Sequence, residues 1–193
     1  RYLTNHSTGK MGYAVARAAA MRGADVTLIH GPTALPPVKF TEDVPITTAQ
    51  DMYEAVTSRF SDMDILVMAA AVADYRPATV ADDKIKKKDG DLSIPVERTA
   101  DILGTIGPRK TKQFLCGFSM ETRDMVENSA AKLKKKNLDM VVANNLKVSG
   151  AGFGVDTNVV TFITPDGTRE LPLMSKADVA DAILDEILKR RGH

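Results

Sequence analysis

Residues 64–77 read DILVMAAAVADYRP. The run DILVMAAA (64–71) is continuously apolar, which predicts a strand buried on both faces of a parallel sheet. KQFLCGFS (112–119) and LDMVVAN (138–144) repeat that pattern downstream. Upstream, ADVTLIH (24–30) is a β-branched strand closed by Gly31-Pro32, and DVPITTA (43–49) reads as another. Helical patterns alternate with these runs. KMGYAVARAAAMR (10–22) is Ala-rich and stops at Gly23. QDMYEAVTSRF (50–60) is a second helix. A third, over about 123–136, has Met125, Val126, Ala130 and Leu133 on one face. The last, over 176–190, follows a capping-box variant at Ser175-x-x-Asp178 and carries Val179, Ile183, Leu184, Ile187 and Leu188.

Strands alternating with helices predict an α/β, Rossmann-like three-layer fold with a mainly parallel sheet. Two β-hairpins interrupt it and are expected as appendages. KIKKKDGDLSIPV (84–96) turns at Asp89-Gly90, and residues 158–174 turn at Pro165-Asp166-Gly167. A doubly wound sheet normally places a strand and a phosphate loop before its first helix. Here that helix starts within ten residues of Arg1, so the first strand is apparently missing. The expectation is one N-terminally truncated domain over 1–193.

The composition is that of a globular domain. The chain has 193 residues, 44% hydrophobic and 26% charged, and a net charge of +1, so no global field draws it to nucleic acid or membrane. Cys116 is the single cysteine, which rules out a disulfide within the chain and favours a reducing compartment such as the cytoplasm. Within FLCGF it reads as a small core residue rather than a nucleophile. No apolar run approaches the roughly 18 residues that a membrane span needs. Three histidines, His6, His30 and His193, lie scattered and suggest no zinc cluster.

Several segments carry candidate chemistry. In NHSTGKMG (5–12), Ser7 and Thr8 are N-cap candidates, and Gly9 and Gly12 permit close backbone approach. Lys10 adds charge at a helix start suited to anions; a capped helix without a ligand is the alternative. In AAAVADYRP (69–77), small residues allow a ring or sugar to lie against the backbone at a strand's carboxyl end. There Asp74 either accepts hydrogen bonds from a base or ribose or caps the turn. Lys84, Lys86 and Lys88 share one strand face, as a phosphate flap or a solvated surface. Lys132 and Lys136 share a helix face, reaching a triphosphate or water. ANN (143–145) ends a strand, and AGFGVDTN (151–158) is a Gly-rich loop with Asp156 and Asn158.

Taken together, RYLTNHSTGKMG, HGPTALP, AAAVADYRPATVADDKIKKK, GFSMET, KKKNLDMVVANN and GFGVDTN resemble phosphopantothenoylcysteine synthetase. This ligase of coenzyme A biosynthesis is not of the ATP-grasp class. The resemblance runs from Arg1 to about Arg190. It implies a cytoplasmic enzyme joining 4′-phosphopantothenate to L-cysteine through an acyl-cytidylate, with CTP giving CMP and pyrophosphate. It also implies Mg²⁺ with the CTP, a homodimer, and a flavin-dependent decarboxylase half elsewhere in the full-length protein, so no flavin or decarboxylase domain is expected in this chain.

The same resemblance assigns roles to residues. It implies catalytic roles for Asn5 and Lys84, Lys84 being the flap lysine. Nucleotide contacts fall to Ala70, Ala71, Asp74, Lys84, Ala100, Asp101, Ile102, Leu103, Phe118, Lys132 and Lys136. The family often has Pro where Ala100 stands. Substrate contacts fall to Arg1, Asn5, Lys10, Ala70, Ala71 and Asn144. Metal ligands are not indicated.

Two other readings compete. An NAD(P)-dependent oxidoreductase needs GxGxxG and an acidic residue ending the second strand, and the chain has neither, since that strand ends at His30-Gly31-Pro32. A non-catalytic nucleotide-binding module is the other.

Overall fold

The Ala-rich stretch after Gly9 folds as α1 (Lys10–Met21), and Gly23 follows it in the left-handed region at φ 82°. The coordinates are a computed structural model and describe residues 3–81, 83, 93–121, 124–145 and 155–192. Next come β1 (Thr27–His30), β2 (Glu42–Pro45), α2 (Ala49–Arg59) and β3 (Ile65–Met68). Then follow β4 (Tyr75–Pro77), β5 (Val96–Arg98), the short α3 (Ile102–Ile106), β6 (Phe114–Glu121), α4 (Met125–Lys135) and β7 (Met140–Asn145). The chain continues through β8 (Thr157–Asn158), β9 (Val160–Thr164), β10 (Gly167–Glu170), β11 (Met174–Ser175) and α5 (Lys176–Arg191).

The main sheet has the order β10-β9-β7-β6-β3. β3, β6 and β7 are parallel, while β9 and β10 add an antiparallel margin. The fold is therefore the expected α/β layering with a mostly parallel core. Alternation along each strand divides the apolar side chains between two helical layers. Cys116, Val142 and Phe162 face α1 and α5, where Val15, Ile183 and Ile187 meet them. Leu115, Val141 and Ile163 face α2, α3 and α4, where Val56, Ile106 and Leu133 meet them. Cys116 is fully buried, and burial pushes its thiol pKa up, in keeping with a core role.

Three expectations are refined. β3 is only partly buried along its length, not covered on both faces. Among the described residues it is the margin of the main sheet, and β1 and β2 pair with each other rather than with it. The hairpin over 158–174, expected as an appendage on the main sheet, extends it, because β9 bonds directly to β7. Its sequence explains why: VTFIT carries apolar groups on both faces, and both must be covered. The other hairpin has its base at Tyr75–Pro77 paired with Val96–Arg98. Its Asp89-Gly90 turn lies outside the described residues.

Helix ends follow their sequences. Thr48 and Asp51 form a reciprocal capping box on α2. The Ser175 hydroxyl accepts the Asp178 N–H at the start of α5.

Candidate functional site

The carboxyl ends of β3, β6 and β7 open at one end of the sheet, and the predicted residues fall into two groups, one on each helical face.

The first group lies on the α1/α5 face. The N-cap of α1 is Gly9, at φ 75°, and not Ser7 or Thr8 as the sequence suggests. A left-handed residue is needed to turn the chain into the helix, and glycine supplies it without strain. Ser7 acts one step earlier, accepting the Gly9 N–H at 3.3 Å, and Thr33 holds the turn by donating to the Thr8 carbonyl at 3.3 Å. α1 thus begins without a side-chain cap. Asn5 crosses to the end of β3: its Nδ2 donates to the Val72 carbonyl at 3.1 Å and to the Ala71 carbonyl at 3.4 Å. A cleft of about 240 Å³ opens beside it, lined by Leu3, Thr4, Asn5, Ala73, Asp74 and Tyr75. Ala70 and Asp74 are exposed, and the Asp74 carbonyl accepts the Thr99 N–H at 3.0 Å, tying the cleft to the hairpin base. The sequence offered turn-capping as a second role for Asp74, and this bond comes from its backbone, not its carboxylate.

Lys10 reaches across to Asp156, Nζ to Oδ1 2.7 Å. That bond holds the Asp156 carboxyl below its ordinary range. Lys176, the first residue of α5, is buried at 8% exposure and donates from Nζ to the Val155 carbonyl. Burial lowers its ammonium pKa, and the nearby Lys10 charge lowers it further. Asn144, at the end of β7, accepts from Asn158 Nδ2 at 2.9 Å.

The second group lies on the α3/α4 face. Asp101 caps α3 by accepting the Gly104 N–H at 2.9 Å, and its carboxylate meets Lys136 Nζ at 2.8 Å. Burial works to raise the Asp101 carboxyl, but the Lys136 and Gly104 hydrogen bonds outweigh it and hold it below the usual range. The pair depends on close backbone packing: a Cβ on Gly107 would meet the Lys136 carbonyl at 2.0 Å. Asn137 adds a bond from Nδ2 to the Gly107 carbonyl at 2.9 Å. Lys132 donates to the Phe118 carbonyl at 2.8 Å.

The predicted set is therefore brought together only in part. Asn5, Lys10, Ala70, Ala71, Asp74 and Asn144 surround the first group, and Asp101, Lys132 and Lys136 form the second. Ile102 and Leu103 have their side chains in the core, so they offer a ligand only backbone. Ala100 is exposed just before α3. The Phe118 ring packs on the α1/α5 core, across the sheet from Lys132. Arg1 and Lys84 lie outside the described residues. Sequence reasoning missed Lys176 altogether and saw Asp156 only as a loop residue. A lysine directly after a serine cap was the available signal, but nothing in the sequence marked it as buried.

The fold and this end-on cleft define a Rossmann-like α/β domain with its polar site at the carboxyl edge. The comparisons with known proteins make the assignment particular. The family described as DNA/pantothenate metabolism flavoprotein C-terminal domain matches residues 1–190, and the chain belongs to it. It is 51% identical over 189 residues to a Bacillus subtilis protein, "Coenzyme A biosynthesis bifunctional protein CoaBC", covering 97% of this chain and 47% of that one. The chain thus spans about half the length of that curated relative. The crystal structure of the C-terminal domain of a CoaBC protein superposes with a TM-score of 0.83 at 45% identity, covering 98% of this chain and 88% of that one. A Cab2 mutant solved with phosphopantothenate-cysteine shares the fold at a TM-score of 0.82 and 18% identity, covering 100% of this chain and 80% of that one.

Proposed function

We propose that this chain acts in coenzyme A biosynthesis as the phosphopantothenate–cysteine ligase. Its relatives and its site support that reading. The 4′-phosphopantothenate carboxylate attacks the α-phosphate of CTP and pyrophosphate leaves. The amine of L-cysteine then attacks the acyl-cytidylate, and CMP leaves. Activation precedes amide formation because a free carboxylate is a poor acyl donor.

The observation that carries the reading is the Asn5 bridge to the Ala71 and Val72 carbonyls, which joins the start of α1 to the end of β3. It places a neutral donor and acceptor beside an exposed acid, Asp74, in one cleft. Asn5 orients the reacting acyl group. Lys10 and Arg1 meet the substrate's negative charge, with Asn144 toward the substrate. Ala70, Ala71 and Asp74 meet the nucleotide, and Ala100 to Leu103 offer it backbone from the start of α3. The Asp101–Lys136 pair and Lys132 serve the triphosphate, and Lys84 stabilises charge in the acyl transfer.

Mg²⁺ accompanies the triphosphate and neutralises it. Among the described residues no group of three or more ligating side chains could hold a metal. A homodimer in the cytoplasm, joined to a decarboxylase half, completes the proposal. Among the described residues no helix is long and apolar enough to cross a membrane.

Pyrophosphate release, measured with phosphopantothenate, cysteine and each nucleoside triphosphate in turn, tests it. Release with CTP above the others is the expected result. Release with none of them would refute the ligase reading.

A further inference from the structure

Lys176 is the one buried charge in the first group to which no role has yet been given. At 8% exposure its stem is packed away, and an apolar side chain of the same length would avoid the desolvation cost. Its placement instead serves the neighbouring loop twice. Its backbone N–H donates to the Asp156 carbonyl at 2.9 Å, and its ammonium donates to the Val155 carbonyl. β8 and β11 pair beside it, Thr157 opposite Ser175, so this loop end is fastened to the start of α5. From that anchored backbone the exposed Asp156 carboxylate extends to Lys10 at 2.7 Å. Lys10 and Asp156 are 146 positions apart, and the start of α5 is what brings them together.

We infer that Lys176 is a positioning residue for the anionic substrate: it seats Val155 and Asp156 so that Asp156 holds the Lys10 ammonium at the head of α1. This rests on the reading of the α1 start as the phosphopantothenate side of a ligase site. Lys176 touches neither substrate and acts through Asp156. The arrangement holds the Lys10 ammonium at the head of α1, with its countercharge on an exposed carboxylate.

The test is the steady-state KM for phosphopantothenate and for CTP in the wild type and in Lys176→Met, Lys176→Arg, Asp156→Asn and the Lys176→Met/Asp156→Asn double variant. Lys176→Met and Asp156→Asn should each raise KM for phosphopantothenate by about three- to fivefold, the scale of an exposed ion pair. KM for CTP should stay within about twofold, and Lys176→Arg should restore most of the loss. The double variant should be no worse than the poorer single, because both changes cut the same connection.

Unchanged KM for phosphopantothenate in Asp156→Asn would overturn the inference. That variant changes only an exposed side chain, so misfolding would not account for the result. Additive losses in the double variant, or an equal rise in KM for CTP, would overturn it too. A wild type that releases no pyrophosphate would instead bring down the ligase reading itself, so the two failures are distinct.

Discussion

The two halves of the site are held in different ways. On the α1/α5 face, Asn5 and Asp156 are exposed, and side-chain hydrogen bonds connect segments far apart in the chain. On the α3/α4 face, Asp101 and Lys136 are fixed by a helix cap and by the tight Gly107 crossing. On the proposed reading the first half takes the acyl chain and the second the charged triphosphate. Pre-formed charge costs little reorganisation when a ligand arrives, and exposed bonds exchange readily with it.

Four substitutions break or sharpen that contrast. Lys84→Gln should have the largest effect, because the proposal gives Lys84 the charge of the acyl transfer itself. Loss of its charge should lower amide formation by about 10³-fold without unfolding the chain, as steady-state turnover and circular dichroism would show. Asn5→Asp should lower kcat/KM by about 10²-fold, since it replaces the donor to the Ala71 and Val72 carbonyls with a charge that repels the anionic intermediate. Turnover equal to wild type at neutral pH would refute that role.

Lys136→Met should raise KM for CTP roughly tenfold and leave KM for phosphopantothenate in place, because it touches only the pre-formed half. It also has a pH signature. The folded Asp101 carboxyl lies below its ordinary value, so its contribution to stability is present above the ordinary aspartate pKa. That contribution disappears as pH falls through the lowered value. Urea midpoints of wild type and Lys136→Met should therefore differ at neutral pH and converge in acid. Thr48→Ala, which removes the α2 capping box and none of the site contacts named above, should cost about 1 kcal/mol in stability and leave both KM values unchanged.

The sequence disclosed the layers well. The runs at 112–119 and 138–144 became β6 and β7, and the four helices fell within a few residues of their patterns. Those signals are periodic and local. The partial exposure of β3 was hidden because apolar content reports tendency, while burial depends on which strands flank it. The β4–β5 base was hidden because each strand has three residues and Pro77 pairs with Val96, distant in sequence. At the site, Lys136 one turn beyond Lys132 was legible from spacing, whereas Asp101 as the cap of α3 was not. The Lys176–Asp156–Lys10 connection was not, since three separate segments must fold before those charges meet.

The most direct test of the account omits cysteine. Purified protein incubated with CTP, Mg²⁺ and 4′-phosphopantothenate should release pyrophosphate and accumulate an acyl-cytidylate detectable by mass spectrometry. Added cysteine should then convert it to 4′-phosphopantothenoylcysteine and CMP. A product that appears with no acyl-cytidylate, with CDP and phosphate in place of CMP and pyrophosphate, would contradict it.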